Sequence, residues 1–115
     1  MSFRWPSKDP DETLDYSVDW SRFLDTANIN SVIWFVKSSL YNTKTQLNAG
    51  ATLTSASSSA TTDTIQNVSQ TNTNTVATIN ISGGQNNVEY TFFCQMTDDT
   101  GSTAERSIKL RLKER

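Results

Sequence analysis

The sequence predicts an all-β protein built as a single β-sandwich, and three observations carry that reading. Val88, Tyr90, Phe92, Cys94 and Met96 alternate with Glu89, Thr91, Phe93, Gln95 and Thr97; Ile108, Leu110 and Leu112 alternate with Ser107, Lys109, Arg111 and Lys113. Between the two runs lies Asp98-Asp99-Thr100-Gly101-Ser102. Period-two alternation on both sides of a Gly-containing polar turn is the pattern of a β-hairpin with one buried face. No segment carries the apolar period of a helix, and the strand-like segments recur at roughly the 8–12-residue spacing of a sandwich.

Residues 1–12 read as an extended N-terminal arm and residues 13–115 as the sandwich domain. Pro6 and Pro10 oppose regular pairing in the arm and hold their predecessors extended. Phe3 and Trp5 are large aromatics on a segment with no core of its own, so they dock either on their own domain or on another subunit. Leu14, Tyr16, Val18 and Trp20 alternate with Asp15, Ser17 and Asp19, which predicts a half-buried first strand. Ser21-Arg22-Phe23-Leu24 fits a short helical turn or a continuation of that strand, with Phe23 and Leu24 closing one end of the core.

Ser31-Val32-Ile33-Trp34-Phe35-Val36 is the strongest apolar run and predicts a central strand. Trp34 resembles the core Trp of an immunoglobulin-like sandwich, without the flanking disulfide. Leu40-Tyr41, Gln46-Leu47, Ala51-Thr52-Leu53 and residues 64–68 are each short-strand candidates. The Ser/Thr-rich stretch at 54–62 has no bulky apolar anchor and is expected to be an exposed, mobile loop. Ala77, Ile79 and Ile81 mark a strand that stops at Gly83-Gly84. The total is an immunoglobulin-like sandwich of about seven strands. Its core is expected to hold Trp20, Trp34, Ile79, Tyr90, Phe92, Cys94, Ile108 and Leu110.

Composition narrows the chemistry. The chain has 115 residues, enough for one core, and a net charge of −2. It contains no His and one Cys, which removes His-based triads and the usual zinc ligand sets. No phosphate-cradling loop precedes a helix. The carboxylates at Asp9, Asp11, Glu12 and Asp15, and at Asp98 and Asp99, lack EF-hand spacing and read as turn-capping groups. Catalytic, cofactor and metal residues are therefore each expected to be none, and the protein is expected to be no enzyme. The basic residues form one stripe without interleaved exposed aromatics, which argues against nucleic acid. No apolar run reaches membrane-spanning length, and no apolar segment follows Arg4 to make an export signal. The sequons at Asn67 and Asn80 are then without consequence.

Charge is unevenly placed. Asp9, Asp11, Glu12, Asp15 and Asp19 crowd the first segment; Arg106, Lys109, Arg111, Lys113 and Arg115 crowd the last strand. Either both are edge strands whose charge discourages pairing, or they are neighbours, or each meets a subunit of opposite sign. The candidate partner-binding residues are Phe3, Trp5, Pro6, Asp9, Pro10 and Asp11 on the arm, with Lys109, Arg111 and Lys113 on the basic strand. The arm is expected to make intermolecular contacts, and its removal through residue 7 to leave the thermal midpoint nearly unchanged.

Lys8-Asp9-Pro10-Asp11-Glu12-Thr13-Leu14-Asp15-Tyr16, followed by Asp19-Trp20-Ser21, resembles the opening of the phage fiber-tail adaptor proteins. Glu105-Arg106-Ser107 echoes the start of that family's last strand. The middle departs from the pattern, with residues 48–64 reading as an insertion. The resemblance implies an immunoglobulin-like bacteriophage virion protein that links tail and tail fiber by protein–protein contacts. It implies partners among tail and fiber subunits, several copies in a symmetric assembly, no membrane or nucleic-acid partner, assembly in the host cytoplasm and residence in the virion tail. Two other readings share the fold: a capsid decoration protein, and a glycan-binding adhesion module using Tyr41 and Phe93.

Overall fold

The alternating segments form strands, and side-chain burial follows their period. The computed structural model describes residues 3–39, 43–54 and 62–114. Among these lie β1 (Phe3–Arg4), β2 (Thr13–Asp19), the helical turn α1 (Ser21–Leu24), β3 (Ile29–Ser38), β4 (Thr45–Gln46) and β5 (Thr52–Thr54). They are followed by β6 (Thr62–Asn72), β7 (Val76–Ser82), β8 (Glu89–Asp98) and β9 (Thr103–Arg111). One sheet has the order β1-β9-β8-β3-β4 and the other β2-β7-β6-β5. Seven of these strands exceed two residues, as the spacing of turn signals implied. The neighbours β2-β7-β6 and β3-β8-β9 reproduce the B-E-D and C-F-G trios of an immunoglobulin-like sandwich.

The register of the final hairpin is the expected one. Phe92 pairs with Ile108 and Tyr90 with Leu110, all pointing inward; Phe93 pairs with Ser107 on the outer face. Phe92 is fully buried and Phe93 half-buried. All eight expected core residues are buried. At the start of β8 the Tyr90 hydroxyl accepts a hydrogen bond from the Gln85 backbone N–H at 2.9 Å. This ties the β7–β8 corner as a tyrosine corner does in immunoglobulin-like domains. Trp20 packs between the sheets and its indole N–H donates to Cys94 Sγ at 3.4 Å. Burial pushes the Cys94 thiol up to about 11, so it stays protonated and inert.

Three details differ from the pattern in the sequence. Trp20 follows β2 rather than ending it, and in α1 Leu24 is buried while Phe23 is 45% exposed. A single helical turn can point only one of two consecutive side chains inward, so Phe23 does not close the core. In β6 Asn67 shares the inward face with Ile65 and Val68 is left 43% exposed, and a register shift follows between Asn67 and Ser69. The bulge supplies one extra residue and reverses the alternation beyond it. Buried Asn67 is held by its amide, which donates to Leu47 O at 3.0 Å and Gln70 Oε1 at 2.9 Å. The sequon at Asn67 is therefore closed to modification in the folded chain. The third difference is β1 itself, which pairs despite the nearby prolines because it ends before Pro6. Leu40-Tyr41 and most of the expected loop at 54–62 fall outside the described residues.

Candidate functional site

The arm and the basic strand occupy one place. β1 runs parallel to β9, with Phe3 opposite Ile108 and Arg4 opposite Lys109. The path continues beyond β1: Trp5 N–H donates to Lys109 O at 2.9 Å, Lys8 N–H to Arg111 O at 3.0 Å, and Lys113 N–H to Lys8 O at 2.8 Å. The two segments of opposite charge are thus neighbours. β9 is covered by the arm, and β2 is an edge strand of its sheet.

Trp5 explains how the arm is held. Its ring stacks on Tyr16 at 4.7 Å between centroids and lies 5.6 Å from Phe92 and 6.0 Å from Trp34. Its indole N–H donates to Ser17 O at 3.2 Å, and the Tyr16 hydroxyl donates to Pro6 O at 3.3 Å. Trp5 therefore fills the gap between the open edges of the two sheets. Arg106 does similar work from β9: its guanidinium lies 4.6 Å from the Trp20 ring centroid and donates to Asp19 O at 3.0 Å. These two side chains cap two outward carbonyls of the β2 edge, which blunts it against strand addition. Trp5, Arg106, Arg4, Ser17, Asp19 and Ile108 border the open groove of about 250 Å³ that remains.

Lys8 is fully buried, and its ammonium donates to Asp9 O at 2.9 Å and Gly83 O at 2.8 Å. Burial lowers its pKa, against the opposing pull of Glu12, Asp9 and Asp11. The acidic group beside it is a turn rather than a metal cage: Glu12 Oε1 accepts from Asp9 N–H and Asp9 Oδ1 from Asp11 N–H. Asp98 is likewise a capping residue, its Oδ1 accepting from the Thr100 hydroxyl and from the N–H groups of Thr100 and Ser102. Among the described residues no group of three or more His, Cys, Asp or Glu could hold a metal ion. Among the described residues no helix is long and apolar enough to cross a membrane.

The expected partner-binding residues separate into two sets. Pro6 and Asp11 on the arm, and Arg111 and Lys113 at the end of β9 and just beyond it, are exposed. Trp5, Asp9, Pro10 and Lys109 are half-buried, and the Phe3 side chain lies outside the described residues. Lys109 and Arg4 both reach Glu89, at 3.6 and 3.0 Å. Burial pushes the Glu89 carboxyl up, but these two cations hold it below its usual range.

The outer face of the five-stranded sheet carries a surface that charge placement did not reveal. Phe35 on β3 is directly opposite Phe93 on β8, with Ile33 next along the same face of β3. Lys44 Nζ lies 4.7 Å from the Phe35 centroid and 4.9 Å from that of Phe93, and pairs with Glu105 at 2.7 Å. Lys37 lies 5.8 Å from the Phe93 centroid. Phe93 thus sits in mid-sheet under two lysines, whereas Tyr41 lies outside the described residues. The signal was present in the alternation of Ile33, Phe35 and Lys37, masked because Trp34 and Val36 between them are equally apolar.

Comparison with known families gives a match over residues 40–111 to the model described as podophage GP4 fiber-tail adaptor protein gp77. The matched residues run through the last strands, including Glu105-Arg106-Ser107, and begin after the Lys8-to-Ser21 motif. No curated protein matches the chain.

Proposed function

The chain belongs to the podophage fiber-tail adaptor family, and from that premise we propose that it is a non-enzymatic virion protein joining tail and tail fiber by protein–protein contacts. It acts in several copies, resides in the virion tail and is assembled in the host cytoplasm. One observation supports an adaptor surface at the chain's ends. The arm is laid along β9, so the exposed Pro6 and the exposed cations Arg111 and Lys113 lie on neighbouring, hydrogen-bonded segments that together make a ridge at this edge of the sheet. A ridge already ordered in the free domain loses little conformational entropy on docking. Exposed cations there would select an acidic neighbour and speed its capture.

The test is a double charge reversal, Arg111→Glu with Lys113→Glu, in a phage otherwise unchanged. The variant domain should keep its thermal midpoint, because both side chains are exposed. Quantitative mass spectrometry of purified particles should find it depleted from tails. Normal incorporation would remove this ridge from the interface. Capsid-scale copy number of the wild-type protein, retained on heads without tails, would replace the adaptor reading with a decoration role.

A further inference from the structure

We infer that the buried ammonium of Lys8 selects one of two registers open to the arm on β9, and so fixes where the turn that follows it, Asp9 to Glu12, lies relative to Arg111 and Lys113. The pairings on either side of Pro6 do not share a register. In β1, Phe3 faces Ile108 and Arg4 faces Lys109; beyond Pro6, Lys8 faces Leu112. From Arg4 to Lys8 the arm advances four residues, while its partner advances three from Lys109 to Leu112. The arm therefore holds one extra residue, a bulge in a parallel pair. The backbone shows the same slack. After Trp5 N–H on Lys109 O, the next arm donor to β9 is Lys8 N–H on Arg111 O, where an uninterrupted ladder would use Ser7.

The uninterrupted register is open to this sequence. Pro6 does not forbid it, because in step with Trp5 and Ser7 its missing N–H points away from β9. It would set Ser7 opposite Leu112 and Lys8 opposite Lys113, turning Ser7 inward and Lys8 to the exposed side. Neither Ser7 nor Lys8 is apolar, so hydrophobic patterning does not choose between the two. The choice falls to the ammonium. It is fully buried, and it donates to Asp9 O at 2.9 Å and Gly83 O at 2.8 Å. Gly83 follows β7 and packs against the Thr64 carbonyl, so this acceptor does not slide with the arm. Both bonds belong to the bulged register and are lost when Lys8 turns outward. Fixing a register is the best-attested use of a buried charge, whose contribution to stability is small or negative. The inference concerns the isolated domain and stands apart from the adaptor reading.

Amide hydrogen exchange of the isolated chain, read residue by residue by NMR, tests it. In Lys8→Gln the side chain is neutral, polar and too short to reach both carbonyls. Protection at residue 8 should fall at least roughly tenfold, and protection at Ser7 should rise as its N–H takes over Arg111 O. Trp5 and Lys113, paired with β9 and the arm on either side of the bulge, should stay protected, and the thermal midpoint should stay close to that of the wild type. Lys8→Ala is read in the same way if Lys8→Gln does not fold. Unchanged protection at residues 7 and 8 would overturn the inference, because the bulge would stand without the ammonium. Loss of protection at Trp5 and Lys113 together would overturn it too, because Lys8 would then hold the arm on rather than choose its register. Failure of both variants to fold would assign the ammonium to global stability and overturn it as well.

Discussion

Trp5 and Tyr16 stack with centroids 4.7 Å apart and an interplanar angle of 26°, joining the arm to the edge strand of the opposite sheet. The contact bridges the two layers at their open side, where no backbone ladder does so. It makes residue 5 part of the domain's packing, although it lies outside the stretch that the alternation marks as the fold.

Trp5→Ala is therefore expected to destabilise the isolated domain by about 3 kcal/mol, within the range for truncating packed aromatics. Removing residues 1–7 should lower the thermal midpoint measurably, the opposite of what a free arm would give. A midpoint unchanged by either would mean that the arm leaves the sandwich in solution.

Phe92 and Phe93 give a paired comparison on one strand. Phe92→Ala should cost roughly 3–5 kcal/mol, because the ring is fully buried. Phe93→Ala should cost less than about half as much, because its ring lies on the outer face beneath lysine side chains. Urea unfolding of both variants measures the ratio, and equal costs would contradict the register of the hairpin.

The same pair shows how far the sequence could be read. Strict alternation in the last two strands, with a short Gly-containing polar turn between them, left one register for the buried face. The same logic found β7 and the core tryptophans. It could not place Trp5, because a lone aromatic beside prolines has no period and its destination is set by a strand a hundred residues away. Lys8 was equally opaque: a buried ammonium depends on the two carbonyls that receive it, and Gly83 is remote in sequence. In β6 period two from Ile65 places Asn67 inside and Val68 outside, against the polarity of both residues, and the bulge after Asn67 then moves the inward face to Gln70. The family resemblance drew on the Lys8-to-Ser21 motif and, more weakly, on Glu105-Arg106-Ser107; the family match includes the second and begins after the first.

Gly83→Ala should be destabilising by about 1–3 kcal/mol. Gly83 has φ +72, and a Cβ there would collide with the Thr64 carbonyl. Neither the strained backbone nor the neighbouring strand can yield cheaply, and the Gly83 carbonyl is one of the two that hold Lys8. Differential scanning calorimetry should also show that Gly50→Ala, which meets no neighbour within 4 Å, is milder. A Gly83→Ala midpoint equal to wild type would show that the corner can shift.

Asp98 predicts an acid-sensitive hairpin. The Thr100 hydroxyl, then the Ser102 and Thr100 amides, hold its carboxyl below the ordinary value of 3.8 against the opposing effect of burial. The unfolded chain then binds more protons between the two values, so this stabilisation is present above the ordinary value and is lost as pH falls through the depressed one. Asp98→Asn should be less stable than wild type at neutral pH, with the difference shrinking in strong acid. Urea unfolding at about pH 7 and about pH 2 measures this. A gap independent of pH would assign the turn's stability to shape rather than charge.

The parallel pairing of the first strand with the last also orders events during biosynthesis. Residues 3–8 are translated long before residues 108–113, yet every backbone partner they have in the sheet belongs to that later segment. Until residues 108–113 have left the ribosome, the arm's backbone has no ladder to join, and Arg106 cannot yet be held in place over the β2 edge. Loop closure over most of the chain makes this the longest-range pairing among the described residues. A ribosome stalled before residue 108 would therefore hold a domain whose open side is exposed to its neighbours, and the emergence of residues 108–113 is itself the step that seals it.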